Sequence, residues 1–274
     1  MSNLDYKISD NKTLIIIPSQ TRAADLTYEK LKKYIINPNK ADMGCFISEE
    51  CCLTEMEKDS KYVFKLPEYE NHVDGLYKEL EYFSKDSICK IKKTDLTTYQ
   101  KSTFIHVYYR LFILRMLKQH NLIEKYDWFI INRSDLMHCK EIKTEILDKD
   151  FVYLPNGEHY YGLPDRFAII PKIYIEKWLS IYDEKYFIDY KKIIGISQNK
   201  PNIYGPEKMT KANQELRNIP LEWIHYSFFC VAKKTTLPTN TFYDFYNKEL
   251  GIIIKYKSEY RKCLKLNRQK ITWV

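Results

Sequence analysis

Short β-branched runs alternate with helix-periodic segments along most of this chain, and no other feature limits its fold so strongly. KTLIIIPSQTR (12–22) reads as a buried strand followed by the polar loop at its carboxyl end. LTYEKLKKYIINP (26–38) has apolar residues at helical spacing and stops at a proline, so it reads as a helix. ADMGCFIS (41–48) and KYVFKLP (61–67) are two further strands, and NHVDGLYKELEYFSK (71–85) is a second helix. Strands separated by helices need crossover connections, and crossovers set neighbouring strands parallel. The expectation is an α/β domain whose mainly parallel central sheet, flanked by helices, contains residues 13–18, 43–47 and 127–132.

The longest helical signal is STFIHVYYRLFILRMLKQHNLIEKY (102–126), where Phe104, Val107, Tyr108, Leu111, Phe112 and Leu114 form a broad apolar face. Ser102, His106 and Arg110 stand four apart and share one stripe. An arginine on such a helix is either paired internally or turned toward a cavity, where it would meet a phosphate. YDWFIINRSDL (126–136) follows, an apolar strand that breaks off at Arg133, Ser134 and Asp135. Ligands of open α/β sheets sit beyond the carboxyl ends of strands. Arg133 and Asp135 occupy alternate positions and would project together into such a cleft. Asp135 is a hard oxygen ligand suited to Mn²⁺ or Mg²⁺. Arg133 would neutralise phosphate or hold Asp135 in place. The plainer alternative is a structural Arg–Asp pair capping the strand.

Further on, DFVYLP (150–155) and FAIIPK (167–172) are strands joined by the turn-rich loop NGEHYYGLPDR (156–166), and IYIEKWLSIYDEKY (173–186) is helical. The alternation then weakens. No Gly-, Ser- or Pro-rich linker divides the chain, so residues 1–250 are read as one domain with the basic segment 251–274 packed on it. That segment holds seven Lys and Arg against one Glu, interleaved with Tyr256, Tyr260, Leu264, Ile271 and Trp273. Such a composition suits a helix packed back on the domain, or one resting on an anionic membrane surface. His225, beside Trp223, reads as a core histidine.

With 45% hydrophobic residues, 7 Gly and 10 Pro in 274, the chain is neither disordered nor fibrous by composition. Its formal charge of +8 fits a lysine-rich solvated surface or attraction to an anionic partner. Seven cysteines show no spacing suited to zinc. Their odd number, with no signal-like segment, points to reduced thiols and a cytoplasmic location. TLIIIPS is too short to span a membrane.

PSQTR, YYR (108–110), YDWFIINRSDL, LPNGEHYYGLPDRFAI (154–169) and NQEL (213–216) together resemble the motif order of GT-A-like, Rossmann-like nucleotide-sugar glycosyltransferases. They are similar in particular to a group of uncharacterised viral and bacterial sugar-transferase-like proteins, over roughly residues 12 to 235. The resemblance implies a mainly parallel central sheet with a C-terminal helical elaboration. It also implies transfer of a sugar from a UDP- or GDP-linked donor to a glycan or glycoconjugate, metal-assisted and inverting. Arg133 stands where the family motif Asp-x-Asp has its first carboxylate, which leaves Asp135 alone to hold Mn²⁺ or Mg²⁺. Ser19, Arg22, Arg110 and Arg133 would face the donor diphosphate, where charge builds on the leaving group. Tyr160 and Tyr161 would stack on the acceptor sugar, and Asp165 would take the proton of the attacking hydroxyl, with Glu215 as second candidate; the plainer alternative for Asp165 is an N-cap or a salt bridge to Arg166. Two other readings compete: a nucleic-acid-binding protein, for which no recognised motif is present, and an inactive sugar-nucleotide-binding relative.

Overall fold

Strand β1 (Thr13–Ser19) is apolar on both faces because it lies in the middle of a sheet covered on both sides. Leu14, Ile15, Ile16 and Ile17 are all fully buried. Successive side chains on a strand point to opposite faces, so Leu14 and Ile16 enter one core while Ile15 and Ile17 enter another. Strand β4 (Trp128–Asn132) divides in the same way: Phe129 and Ile131 join the first core, Trp128 and Ile130 the second. The computed structural model of the chain describes residues 12–19, 23–50, 54–67, 69, 72–83, 101–157, 159, 162–180, 205–225, 227–232, 245–247 and 252–268.

Seven strands form the central sheet, in the order β3-β2-β1-β4-β7-β6-β8. Besides β1 and β4 they are β2 (Asp42–Ser48), β3 (Tyr62–Leu66), β6 (Val152–Pro155), β7 (Phe167–Pro171) and β8 (Leu221–Ile224). All run parallel except β7, which is antiparallel to both neighbours. The loop between β6 and β7 carries no helix among its described residues, and a strand pair without a long crossover returns antiparallel.

Among the described residues the helices are α1 (Ala24–Leu31), α2 (Thr54–Asp59), α3 (His72–Phe83), α4 (Lys101–Gln119), α5 (Leu122–Lys125), α6 (Lys172–Leu179), α7 (Pro206–Leu216) and α8 (Lys257–Arg268). Helices α4 and α6 cover the first core with Phe112, Leu117, Ile175 and Trp178. Helix α1 covers the second with Ala24, Tyr28 and Leu31. The expected α/β sheet flanked by helices is therefore what forms. No helix among the described residues is long and apolar enough to cross a membrane.

Three local details differ from the sequence reading. The first helix does not stop at Pro38 but continues through a π-helical turn, Lys32–Ile36, to Asn39. A proline cannot donate to the carbonyl four residues back, and the wider turn just before it shifts the bonding pattern. The helix read at 173–186 is seen over Lys172–Leu179 with Ser180 as its non-helical cap, and residues 181–186 lie outside the described residues. The third difference is in the C-terminal elaboration, which is not helical throughout.

A second, antiparallel sheet runs β10-β11-β9-β5. Its members are β5 (Leu136–His138), β9 (Phe228–Ala232), β10 (Phe245–Asn247) and β11 (Ile252–Ile254). Three successive isoleucines favour a strand, and they pair with β9 before α8 begins. Phe229, Val231, Ile252, Ile254 and Cys263 close a small third core between this sheet and α8. Through it the C-terminal segment reaches the edge of the main sheet described next.

Candidate functional site

Strand β1 has β2 on one side and β4 on the other, so the chain reverses its order of strand addition between β1 and β4. In open α/β sheets the ligand crevice opens at such a switch point, outside the carboxyl ends of the strands. Here that edge carries the ends of β1, β4, β6 and β8 and the start of β7.

Arg133, Ser134 and Asp135 form a turn at this edge rather than a continuation of the strand. The Leu136 amide donates to the Arg133 carbonyl at 3.3 Å, and the chain passes directly into β5. From α1, the Thr27 hydroxyl donates to the Ser134 carbonyl at 2.6 Å and pins the turn. Arg133 grips Asp135 with two parallel hydrogen bonds, Nε to Oδ1 at 3.0 Å and Nη2 to Oδ2 at 2.7 Å. Lys255 adds a second cation, its Nζ 2.6 Å from Oδ2. Asp135 is wholly enclosed, whereas the side chains of Arg133 and Lys255 keep 22% and 15% of their surface open. Burial works against the Arg133 charge, but Asp135 outweighs it and holds the guanidinium protonated. The backbone fixes Lys255 as well: its amide donates to the Cys230 carbonyl at 3.0 Å, and the Val231 amide donates to that of Asp135 at 2.9 Å.

A second group of charges lies where the 156–166 loop enters β7. Arg166 donates from Nη1 to Glu259 Oε1 at 2.6 Å and to Cys230 Sγ at 3.2 Å, and its guanidinium lies 4.4 Å from the centre of the Tyr256 ring. The other Glu259 oxygen accepts the Cys230 amide at 2.8 Å. Removing one partner from such a buried pair costs about 3–5 kcal/mol, because the remaining charge is stranded. Asp165 faces His106, with Nδ1 3.7 Å from Oδ2, and Arg166, with Nε 4.0 Å from Oδ1. Burial pushes the Asp165 carboxyl up, but His106 where it is protonated, together with the permanent charges of Arg133, Arg166 and Arg110, pushes it down by more. His106 is lowered to about 3 by burial and by the Arg110 charge, so its ring is neutral near pH 7. Its Nε2 is buried without a hydrogen-bond partner among the described residues. Glu207, in the first turn of α7, moves the opposite way from Asp165: burial and the Asp165 charge raise its carboxyl.

The remaining residues singled out in the sequence fall at different depths. Arg110 is buried; it donates to the Trp178 carbonyl at 3.4 Å and to Thr210 Oγ1 at 3.1 Å, and lies 5.5 Å from the centre of the Trp178 ring. It therefore sits in the seam between α4, α6 and α7, one turn from His106. Glu215 is solvent-exposed two turns along α7 from Glu207, 3.8 Å from Lys211, and does not join the cluster. Ser19 ends β1 at the correct edge. Its side chain, together with Arg22, Tyr160 and Tyr161, lies outside the described residues. His225 is exposed at the end of β8 rather than in the core, because an edge strand leaves one flank to solvent. Trp223 is 45% exposed and meets His159 edge to face, with ring centres 4.8 Å apart.

Lys255 and Glu207 carry no local signal in the sequence, since lysines and acidic helix starts are common in this chain. Glu259 could have been found, being the one acidic residue in the basic segment 252–274. His106 was visible on its stripe, but its partner was not.

The donor set does not fit a divalent cation. Hard cations need several oxygen ligands, and Asp135 already shares its two oxygens with a guanidinium and an ammonium group. No cluster of three or more His, Cys, Asp or Glu among the described residues could hold a metal ion.

No protein-family model matches the chain, and no curated protein sequence does. Among solved structures it is similar to mouse xyloside xylosyltransferase 1 in the apo form, at 9% sequence identity and a TM-score of 0.44. That alignment covers 78% of this chain and 84% of the mouse chain.

Proposed function

We propose that this chain is a glycosyltransferase that moves a sugar from a UDP- or GDP-linked donor to a glycan or glycoconjugate, with inversion. The observation that carries the reading is the meeting of Arg133, Lys255, Arg166, His106 and Asp165 at the β1/β4 switch point. A sugar nucleotide brings a diphosphate, which calls for preorganised positive charge, and an acceptor hydroxyl, which calls for a base. Arg133 would meet the diphosphate, together with Ser19 and Arg22 from the end of β1. Arg110 lies behind them and acts through its field on His106 and Asp165. Tyr160 and Tyr161, in the loop that leads to Asp165, would stack on the acceptor.

In the reaction, the acceptor oxygen bonds to the anomeric carbon as that carbon's bond to the phosphate oxygen breaks. The nucleoside diphosphate leaves with the electron pair, and the hydroxyl proton passes to Asp165. The surrounding cations keep Asp165 ionised at neutral pH, ready to accept a hydrogen bond from the hydroxyl. They also make it a weak base, so it works late, on an oxygen already acidified by bond formation.

A thermal-shift screen of UDP- and GDP-sugars against single-stranded oligonucleotides tests the reading. Stabilisation by one class of sugar nucleotide, followed by release of the matching nucleoside diphosphate when glycan acceptors are added, is the expected result. Stabilisation by oligonucleotides alone would replace it with a nucleic-acid-binding role. Tight donor binding without turnover would point to an inactive relative.

A further inference from the structure

We infer that Arg133, Asp135 and Lys255 form a fixed cationic site that binds a diphosphate with no divalent metal, and that Lys255 is a diphosphate-binding residue. The inference rests on the sugar-nucleotide reading and names how that same site handles the leaving group. A divalent ion held by one carboxylate leaves one net positive charge to face a phosphate. One guanidinium and one ammonium sharing one carboxylate leave the same net charge. The two arrangements are electrostatic equivalents, and here the second is built.

Three observations make it a prepared site rather than a surface ion pair. Asp135 is wholly enclosed, and with Arg133 bonded to both its oxygens it has little room for an incoming ion. The lysine backbone is held at the end of the β11–β9 ladder by its own amide and its head group by Asp135, so the ammonium is positioned before any ligand arrives. The exposed surface of the trio belongs to the two cations and none of it to the carboxylate. A phosphate approaching this trio therefore meets the two cationic side chains and not the carboxylate between them. Guanidinium supplies planar paired hydrogen bonds, and ammonium a compact point charge, the two modes by which proteins hold phosphate oxygens.

The experiment is a calorimetric titration of the full chain with UDP, GDP and inorganic pyrophosphate, in excess EDTA and again with Mn²⁺. Wild type, Lys255→Gln and Lys255→Arg are compared. Each variant's thermal midpoint is measured first, and the arginine variant, which keeps the charge, controls for folding. The expected result is nucleotide affinity in EDTA close to that with Mn²⁺. Lys255→Gln should lose about ten- to hundred-fold in affinity, as expected for one charged hydrogen bond. Lys255→Arg should restore most of it. Binding that needs Mn²⁺, or metal-free binding unchanged in Lys255→Gln, overturns the inference while leaving the transferase reading in place. Metal-free, Lys255-dependent binding of pyrophosphate without binding of either nucleotide keeps the diphosphate site and overturns the sugar-nucleotide reading. Failure of all three probes overturns both.

Discussion

At the scale of single residues, the informative contrast is between the two aspartates at the sheet edge. Asp135 and Asp165 are both close to arginines, but Asp135 is wholly enclosed by Arg133 and Lys255, while Asp165 stands at 3.7–4.0 Å from its partners. A carboxylate gripped by two cations at hydrogen-bond distance and closed off from solvent presents no oxygen to a substrate. One held by longer-range charge stays ionised and keeps its oxygens available. Asp165→Asn retains the shape and removes the basicity. Its turnover is expected to fall by about 10²–10⁴-fold, with donor binding intact. Product release by the variant within a few-fold of wild type would remove Asp165 from the mechanism, and Glu207, whose carboxyl is raised, would be the next to test.

At the scale of elements, the loop 156–166 places Asp165 by docking on the first turn of α7. The Leu163 amide donates to the Glu207 carbonyl at 2.9 Å. Gly162 lies so close that a Cβ there would collide with the Glu207 carbonyl and the Lys208 nitrogen, both backbone atoms that no rotamer change can move aside. Gly162→Ala must therefore push the loop off the helix, and overpacking of this kind costs about 1–3 kcal/mol. Urea denaturation should show that loss as a lower midpoint at unchanged slope. An unchanged midpoint would mean that the loop is not seated on α7 in solution.

For the molecule as a whole, two buried histidines among the described residues link stability to pH. His138 is enclosed between Phe167 and Phe228, and its Nε2 is 2.7 Å from Asn132 Oδ1. That oxygen can only accept, so the ring donates from Nε2; its Nδ1 is buried without a hydrogen-bond partner among the described residues, and a proton there would be stranded. Burial lowers His138 to about 3, and burial with the Arg110 charge lowers His106 to the same level. The folded state thus binds fewer protons than the unfolded chain at every pH between these values and the ordinary histidine range. The stability this confers is complete above about pH 6.5 and is lost as pH falls from there toward 3. Each histidine contributes up to about 1.4 kcal/mol per pH unit. Denaturation midpoints measured from pH 7.5 to 5 should fall steadily in wild type. His138→Gln, which preserves a donor to Asn132, should fall about half as steeply. Equal slopes for the two proteins would show that His138 is protonated in the folded state.

Hydrophobic patterning was enough to place the inner strands of the central sheet. Strands 13–18, 43–47 and 127–132 lie where the β-branched runs predicted, since a strand buried on both faces must be apolar at every position, and that pattern is local. The place of Arg133–Asp135 at the sheet edge was legible for a related reason: a polar turn that ends an apolar strand has few places to go other than that edge. Who meets whom there follows from the folded chain. The pairing of Asp135 with Lys255 joins residues 120 positions apart, and that of Arg166 with Glu259 spans 93. Lys255 does not differ in sequence from the many lysines left in solvent, and Glu259, though the one acidic residue of its basic segment, carries nothing that names Arg166 as its partner. The small antiparallel sheet sets both contacts, because β11 aligned on β9 brings Lys255 and the start of α8 to the end of β4. Burial is written into hydrophobic periodicity, whereas the choice among equivalent charges depends on register and chain path, which local patterns do not encode.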